Sequence, residues 1–120
     1  MRVFKNTWFT RFARKEGISD EELREVVKEL EAGQPDVDYG GDVYKMRIAR
    51  PGEGKSGGYR VVVIFRSEER TFFVYGFAKS DKDNIDRKEK SDYKELAKKY
   101  MHLSDEMIDR AVKSGKFIEI

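Results

Sequence analysis

Apolar residues recur at helical spacing in the first third of the chain. The positions that follow this spacing are Trp8, Phe9, Phe12, Ala13, Leu23, Val26, Val27 and Leu30. They predict a first helix over residues 7–16 that ends near Gly17. Ser19 and Glu22 have the spacing of a capping box, so a second helix is predicted to begin there and to end before Gly33. Both apolar stripes are interpreted as core.

From residue 42 the apolar period changes from helical to alternating. Tyr44, Met46 and Ile48 share one face, so Lys45 and Arg47 must share the other. Three strands are predicted, over residues 43–49, 59–65 and 71–78, with a glycine-rich turn over 51–58 and a polar turn over 67–70. Strands joined by such short turns form an antiparallel meander, and the two early helices are expected to cover its apolar face.

The chain becomes helical again after residue 79. Helices are predicted over residues 88–101 and from Ser104 or Asp105 to Gly115, followed by a short terminal strand over 116–120. With a short strand predicted at residues 2–4, the order β-α-α-β-β-β-α-α predicts an α+β fold. A length of 120 residues indicates a single domain, 1–120, in which 84–120 form a C-terminal helical extension.

Composition removes several kinds of chemistry. The chain has no cysteine and a single histidine, His102, which excludes thiol catalysis, thiolate or histidine metal clusters and a Ser-His-Asp triad. We therefore expect no metal and no cofactor. No apolar run approaches the roughly 20 residues of a membrane-spanning helix and no signal-peptide pattern opens the chain, so a cytoplasmic protein without a membrane partner is expected.

The net charge of +2 conceals strong segregation. Residues 19–42 carry nine acidic and two basic side chains, whereas residues 43–66 carry six basic side chains and one acidic. A basic segment of this kind can bind an anion such as a phosphate backbone, or it can pair with the acidic segment. Charge alone does not separate these two interpretations.

A set of cations converges on the predicted sheet. Lys45 and Arg47 share a strand face, Arg60 begins the next strand, and Lys79 ends the third. Lys55 lies on the glycine-rich loop beside them. These side chains form either a phosphate-binding face or a merely solvated face that protects the sheet edge. Arg60 is expected to be exposed.

The segment 49–56 fits a loose P-loop pattern, with Ala49 in place of the first glycine. A P-loop leads into a helix whose N-terminal amides bind phosphate. Here a strand is predicted to follow Gly57 and Gly58, so neither ATP nor GTP is expected to bind.

Three segments together resemble the RelE/ParE toxin superfamily: Tyr-Lys-Met-Arg-Ile at 44–48, Gly-Gly-Tyr-Arg-Val at 57–61 and Gly-Phe-Ala-Lys-Ser at 76–80. The loop 54–60 is similar to that of the HigB-like, RelE-type branch. The resemblance covers roughly residues 4–84. It implies a RelE-like antiparallel sheet covered by two N-terminal helices, and the toxin of a type II toxin–antitoxin system.

The resemblance also implies an activity and partners. Such toxins are ribosome-dependent mRNA endoribonucleases that leave 2′,3′-cyclic phosphate ends without a metal. The implied partners are the ribosome, mRNA and a cognate antitoxin, expected to be a helix-turn-helix DNA-binding protein. Arg47 and Arg60 would contact the phosphate, and Lys45 and Lys79 would act in proton transfer or phosphate contact. The residues assigned to RNA or ribosome binding are Lys55, Tyr59 and Lys82.

The chain departs from the family pattern at one place. Several relatives have a catalytic Tyr or His shortly after the last strand, whereas residues 80–85 contain neither. Tyr93 is expected to pack in the core and His102 to lie on the surface at a helix end. The identity of the general acid and base therefore stays open. A ParE-like gyrase inhibitor and a catalytically inactive RNA-binding regulator are the alternative functions.

Overall fold

The computed structural model describes residues 1–50 and 54–120, apart from the side chains of residues 55 and 56. Within these residues the chain forms four helices and one six-stranded sheet, so the α+β class is confirmed. The elements are β1 (Arg2–Asn6), α1 (Thr7–Glu16), α2 (Asp20–Glu31), β2 (Val37–Gly40), β3 (Val43–Arg50), β4 (Gly54–Arg66), β5 (Arg70–Ala78), α3 (Arg87–His102), α4 (Asp105–Lys113) and β6 (Phe117–Glu119).

The strands lie in the order β2-β3-β4-β5-β1-β6. The central β3-β4-β5 portion is the antiparallel meander that alternation predicts. β1 pairs with β5 in parallel, and β6 pairs antiparallel with β1. The strand β2 differs from the sequence prediction, which placed no strand between α2 and β3. It is only four residues long and pairs at the sheet edge, so its apolar alternation is too short to read from sequence.

Local signals set the ends of the helices. Gly17 ends α1 with a left-handed φ of 71°, a conformation that glycine adopts without steric cost. Ser19 caps α2, and the reciprocal hydrogen bonds between Ser19 and Glu22 complete the capping box. α3 starts and ends within one residue of the predicted range, and Ser104 caps α4.

The glycine-rich turn is shorter than predicted, because β4 already begins at Gly54. Arg50 pairs with Gly54 and Ile48 pairs with Tyr59, so β4 has extra residues that bulge from the ladder. A Cβ on Gly58 would lie 2.1 Å from the Ile48 carbonyl oxygen. Only glycine therefore lets the two backbones approach at this point. Residues 51–53, which the predicted turn included, lie outside the described residues.

Both faces of the sheet are covered by helices. α1 and α2 pack on one face over a core that includes Phe9, Phe73 and Val61, as expected. α3 and α4 pack on the other face, where Phe4, Phe72, Val62 and others form a second core. None of the described helices has the length and apolar composition required to cross a membrane.

Candidate active site

Strand alternation places the predicted cations on the α3/α4 face. Tyr44, Met46 and Ile48 belong to the α1/α2 core, so Lys45 and Arg47 project to the opposite face. In the β3–β4 ladder Arg47 pairs directly with Arg60, which in turn pairs with Phe77 of β5. Lys79 follows two residues after Phe77, and its backbone N–H donates to the Gly58 carbonyl at 3.0 Å.

These cations repel one another within a partly buried setting. Burial lowers the pKa of Lys45, and the charges of Arg60, Lys90 and Lys79 lower it further. The pKa of Arg60 is lowered by burial and then by the charge of Arg47. The structure thus brings together all four predicted catalytic residues and adds Lys90 from α3. We refer to Lys45, Arg47, Arg60, Lys79 and Lys90 as the basic cluster.

Arg60 is more enclosed than the sequence predicts. It is only 5% exposed, because β4 is a central strand with neighbours on both sides. The side chain of Arg47, one strand closer to the edge, is 44% exposed. The expectation of an exposed Arg60 is therefore wrong, and a substitution at Arg60 has to preserve its volume.

Asp36 supplies a carboxylate to the basic cluster. Its side chain accepts hydrogen bonds from the Arg47 backbone N–H and, at 3.3 Å, from Arg47 Nη2. Its charge raises the pKa of both Lys45 and Arg60, opposing the effect of burial. Asp36 precedes β2, and because β2 itself was not predicted, sequence reasoning had no means of placing this carboxylate beside β3.

One further side chain, Asn84, contacts Lys45, and Tyr39 contacts Asn84 in turn. Asn84 Oδ1 accepts from Lys45 Nζ at 3.2 Å and from Tyr39 Oη at 2.7 Å. Lys90 Nζ lies 5.0 Å from the centre of the Tyr39 ring, a cation–π distance. Sequence reasoning missed Tyr39, Asn84 and Lys90. The one sequence signal for β2, the strand that carries Tyr39, was the short alternation of Val37 and Tyr39.

A model of the family described as the RelE toxin of the RelE/RelB toxin–antitoxin system matches residues 1–120. The chain belongs to the RelE toxin family. It is therefore the toxin of a toxin–antitoxin system, and its partner is a cognate antitoxin. The predicted membership of the RelE/ParE superfamily is confirmed. The match extends beyond residues 4–84, so α3, α4 and β6 belong to the family region as well.

The structure describes two of the three side chains predicted to bind RNA in this RelE toxin, and their environments differ. Tyr59 is on the opposite face from the basic cluster, 4% exposed, with its ring edge-on to Phe12 at 6.0 Å. Lys82 Nζ contacts the Glu89 carboxylate at 2.7 Å and Tyr75 Oη at 3.4 Å, and the Glu89 contact raises its pKa. The side chain of Lys55 lies outside the described residues.

The two other side chains considered for acid–base chemistry both lie on α3. Tyr93 is half-buried and stacks on Tyr75 at 5.9 Å between ring centres, and burial raises its pKa. His102 is exposed at the last residue of α3. Both positions agree with the sequence predictions.

A cavity of about 660 Å³ between the start of α1 and the α3/α4 helices is lined by Trp8, Tyr100, Met107 and others, and shares no residue with the basic cluster. Among the described residues, no group of three or more His, Asp or Glu side chains could hold a metal ion. The described site offers the side chains of Lys, Arg, Tyr, Asn and Asp residues.

Proposed function

We propose that this toxin is a ribosome-dependent mRNA endoribonuclease that leaves a 2′,3′-cyclic phosphate and a 5′-OH. The observation that carries the proposal is the basic cluster, in which a lysine of lowered pKa adjoins two arginines on one face of the sheet. Family membership supports it, because RelE toxins are generally endoribonucleases. The reaction needs charge stabilisation, a base and an acid, and the cluster offers all three.

Arg47 and Arg60 would bind the scissile phosphate. They are cross-strand neighbours, so their guanidinium groups can contact one phosphate from adjacent positions. Because the attack of the 2′-oxygen adds negative charge to the phosphorane, donors already fixed in place stabilise that state more than the substrate. Burial of Arg60 strengthens this effect, since fewer water molecules compete for the phosphate.

Lys45 would act as the base and Lys79 as the acid. Neutral Lys45 accepts the 2′-OH proton while the 2′-oxygen bonds to phosphorus. The bond from phosphorus to the 5′-oxygen then breaks, and Lys79 donates a proton to that oxygen. The lowered pKa of Lys45 increases its neutral fraction near pH 7 relative to an ordinary lysine.

Docking on the ribosome and its mRNA would use cations around the cluster. We assign Lys55 to backbone contact, and Lys82 to a weaker contact because its charge is already compensated by Glu89. Tyr59 is left out of this assignment because it is a core residue. In this proposal residues 1–120 act as one domain in the cytoplasm, and the antitoxin carries a helix-turn-helix fold.

Induced expression with mapping of mRNA 5′ ends tests the proposal. The parent protein should produce cuts inside translated reading frames, and purified protein should give 2′,3′-cyclic phosphate ends on ribosome-bound mRNA. Lys45→Met should abolish both. Lys98→Ala, at a lysine exposed on α3 and ion-paired with Glu95, is the matched control and should cleave normally. Growth arrest with intact mRNA and an SOS response would contradict the proposal and indicate gyrase.

A further inference from the structure

Three hydrogen-bond donors converge on one oxygen beside the basic cluster. Asn84 Oδ1 accepts from Lys45 Nζ at 3.2 Å, Tyr39 Oη at 2.7 Å and the Ile85 backbone N–H at 2.9 Å. A protonated lysine and a backbone N–H can only donate, so the orientation of the Asn84 amide is determined by its surroundings. An amide oxygen has two lone pairs, so three donors leave it no capacity for a further hydrogen bond.

The chain directly after Asn84 is held in place. Ile85 is 2% exposed and anchors this segment in the α3/α4 core. The next residue, Asp86, is the N-cap of α3 and forms a capping box with Glu89. Asn84 is therefore followed at once by a buried side chain and a helix cap, although its own side chain is exposed.

Tyr39 is held independently of that segment. Its strand, β2, pairs with β3, where Val37 lies opposite Lys45. The phenol ring is half-buried, with the Lys90 ammonium over its face. The Tyr39 hydroxyl and the Lys45 ammonium thus come from different strands and donate to the same atom, Asn84 Oδ1.

We propose that Asn84 and Tyr39 are positioning residues that orient Lys45 Nζ for its role as the proton acceptor in RNA cleavage. This inference rests on the proposed function and deepens it. Asn84 contacts the amine directly, and Tyr39 acts through Asn84. Asn84 lies within residues 80–85, where several relatives have a catalytic Tyr or His, and in this role it does not take the proton itself.

The chemical nature of the pair suits that role. A neutral amide accepts from the amine without adding the negative charge that would raise the pKa of Lys45. Burial raises the pKa of Tyr39, so its phenol remains a donor at neutral pH. The titratable and charged groups that face Lys45 are Asp36, Tyr39, Arg60, Lys79 and Lys90.

The test uses Asn84→Asp and Tyr39→Phe in single-turnover cleavage of ribosome-bound mRNA across pH. Asn84→Asp keeps the shape of the side chain but places a carboxylate against the Lys45 amine, which raises the pKa of Lys45. The rising limb of the rate–pH profile should therefore move to higher pH by roughly one unit or more. Tyr39→Phe removes one donor and should lower the maximal single-turnover rate by about fivefold without changing the protein concentration that gives half of that rate. Ser67→Asp adds the same charge in the turn after β4, roughly 15 Å from Val62, the cross-strand partner of Lys45, and should leave the profile unchanged because screening is strong at that distance.

A second measurement separates this inference from the proposed function. NMR titration of the Lys45 ε-carbon reports its pKa without any cleavage, and Asn84→Asp should raise that value. If the parent protein cleaves, but Asn84→Asp has the same rate–pH profile and the same Lys45 pKa as the parent, the positioning role is wrong and the proposed function stands. A parent protein that does not cleave would overturn the proposed function, and the positioning role with it, even if the Lys45 pKa still moves.

Discussion

The two faces of the sheet differ in chemistry, although the same strands build both. On the α1/α2 face, β3, β4 and β5 contribute apolar and aromatic side chains to a continuous core. On the α3/α4 face, the β1/β6 end is aromatic, with the rings of Phe4, Phe72 and Phe117 within 5.7 Å of their neighbours. The β3/β4 end of that face carries the basic cluster instead.

This difference shows how a small fold separates stability from chemistry. Because successive strand residues point to opposite faces, Lys45 and Arg47 can stand between core residues without entering the core. α3 and α4 cover the aromatic end of their face, and α3 also brings Lys90 to the basic cluster, in which Arg47 and Lys79 are exposed. Mutations on the apolar face should therefore lower stability, whereas mutations in the basic cluster should lower activity.

The largest expected effect comes from a substitution on the apolar face. Phe73 is fully buried, with its ring 5.3 Å from that of Phe9. Phe73→Ala should lower the free energy of unfolding by about 3–5 kcal/mol, because it removes an aromatic ring and leaves a cavity. Urea denaturation measures this loss. Met107→Ala, at an exposed site on α4, should change stability by less than about 0.5 kcal/mol.

The next largest effect is expected from a substitution in the basic cluster. Arg60→Gln keeps much of the side-chain volume and removes the charge from the phosphate, so cleavage should fall by about 100-fold or more. Single-turnover cleavage of ribosome-bound mRNA measures it. Arg66→Gln is the matched control, since Arg66 lies on the same strand and face but pairs with Asp42. Equal activity in both variants would remove Arg60 from the mechanism.

A smaller effect tests the electrostatic interaction between Lys90 and Lys45 in the basic cluster. Lys90 lowers the pKa of Lys45, so Lys90→Gln should raise that pKa and shift the rising limb of the rate–pH profile upward. The neutral fraction of Lys45 near pH 7 then falls, and the rate should drop by about two- to threefold there. At a pH above both pKa values the two proteins should cleave equally fast. A downward shift of the limb would contradict this assignment.

The smallest effect compares two docking lysines. Lys55→Ala should reduce the slope of ribosome affinity against salt concentration by roughly 0.7–0.9, the value expected for one neutralised phosphate. Lys82→Ala should change it less, because Glu89 already neutralises that ammonium at 2.7 Å. Binding measured at several salt concentrations separates them. A larger change for Lys82 than for Lys55 would reverse the assignment.

Much of this fold could be predicted from local patterns. The apolar spacing and the Ser19–Glu22 capping box predicted α1 and α2, since these signals act within a few residues. Alternation in β3 also predicted that Lys45 and Arg47 share a face. The short strand β2 was missed, because four residues at a sheet edge are stabilised by pairing with β3 rather than by their own pattern.

The sequence by itself determined which side chains alternate, where the helices begin and which cations the strands can present. Only the tertiary structure decided that Arg60 is buried and that Tyr59 lies in the opposite core. It also decided that Tyr39 and Asn84 meet beside Lys45. Those outcomes depend on strand order and helix packing between residues far apart in the chain, and such long-range contacts leave no periodic signal in the sequence.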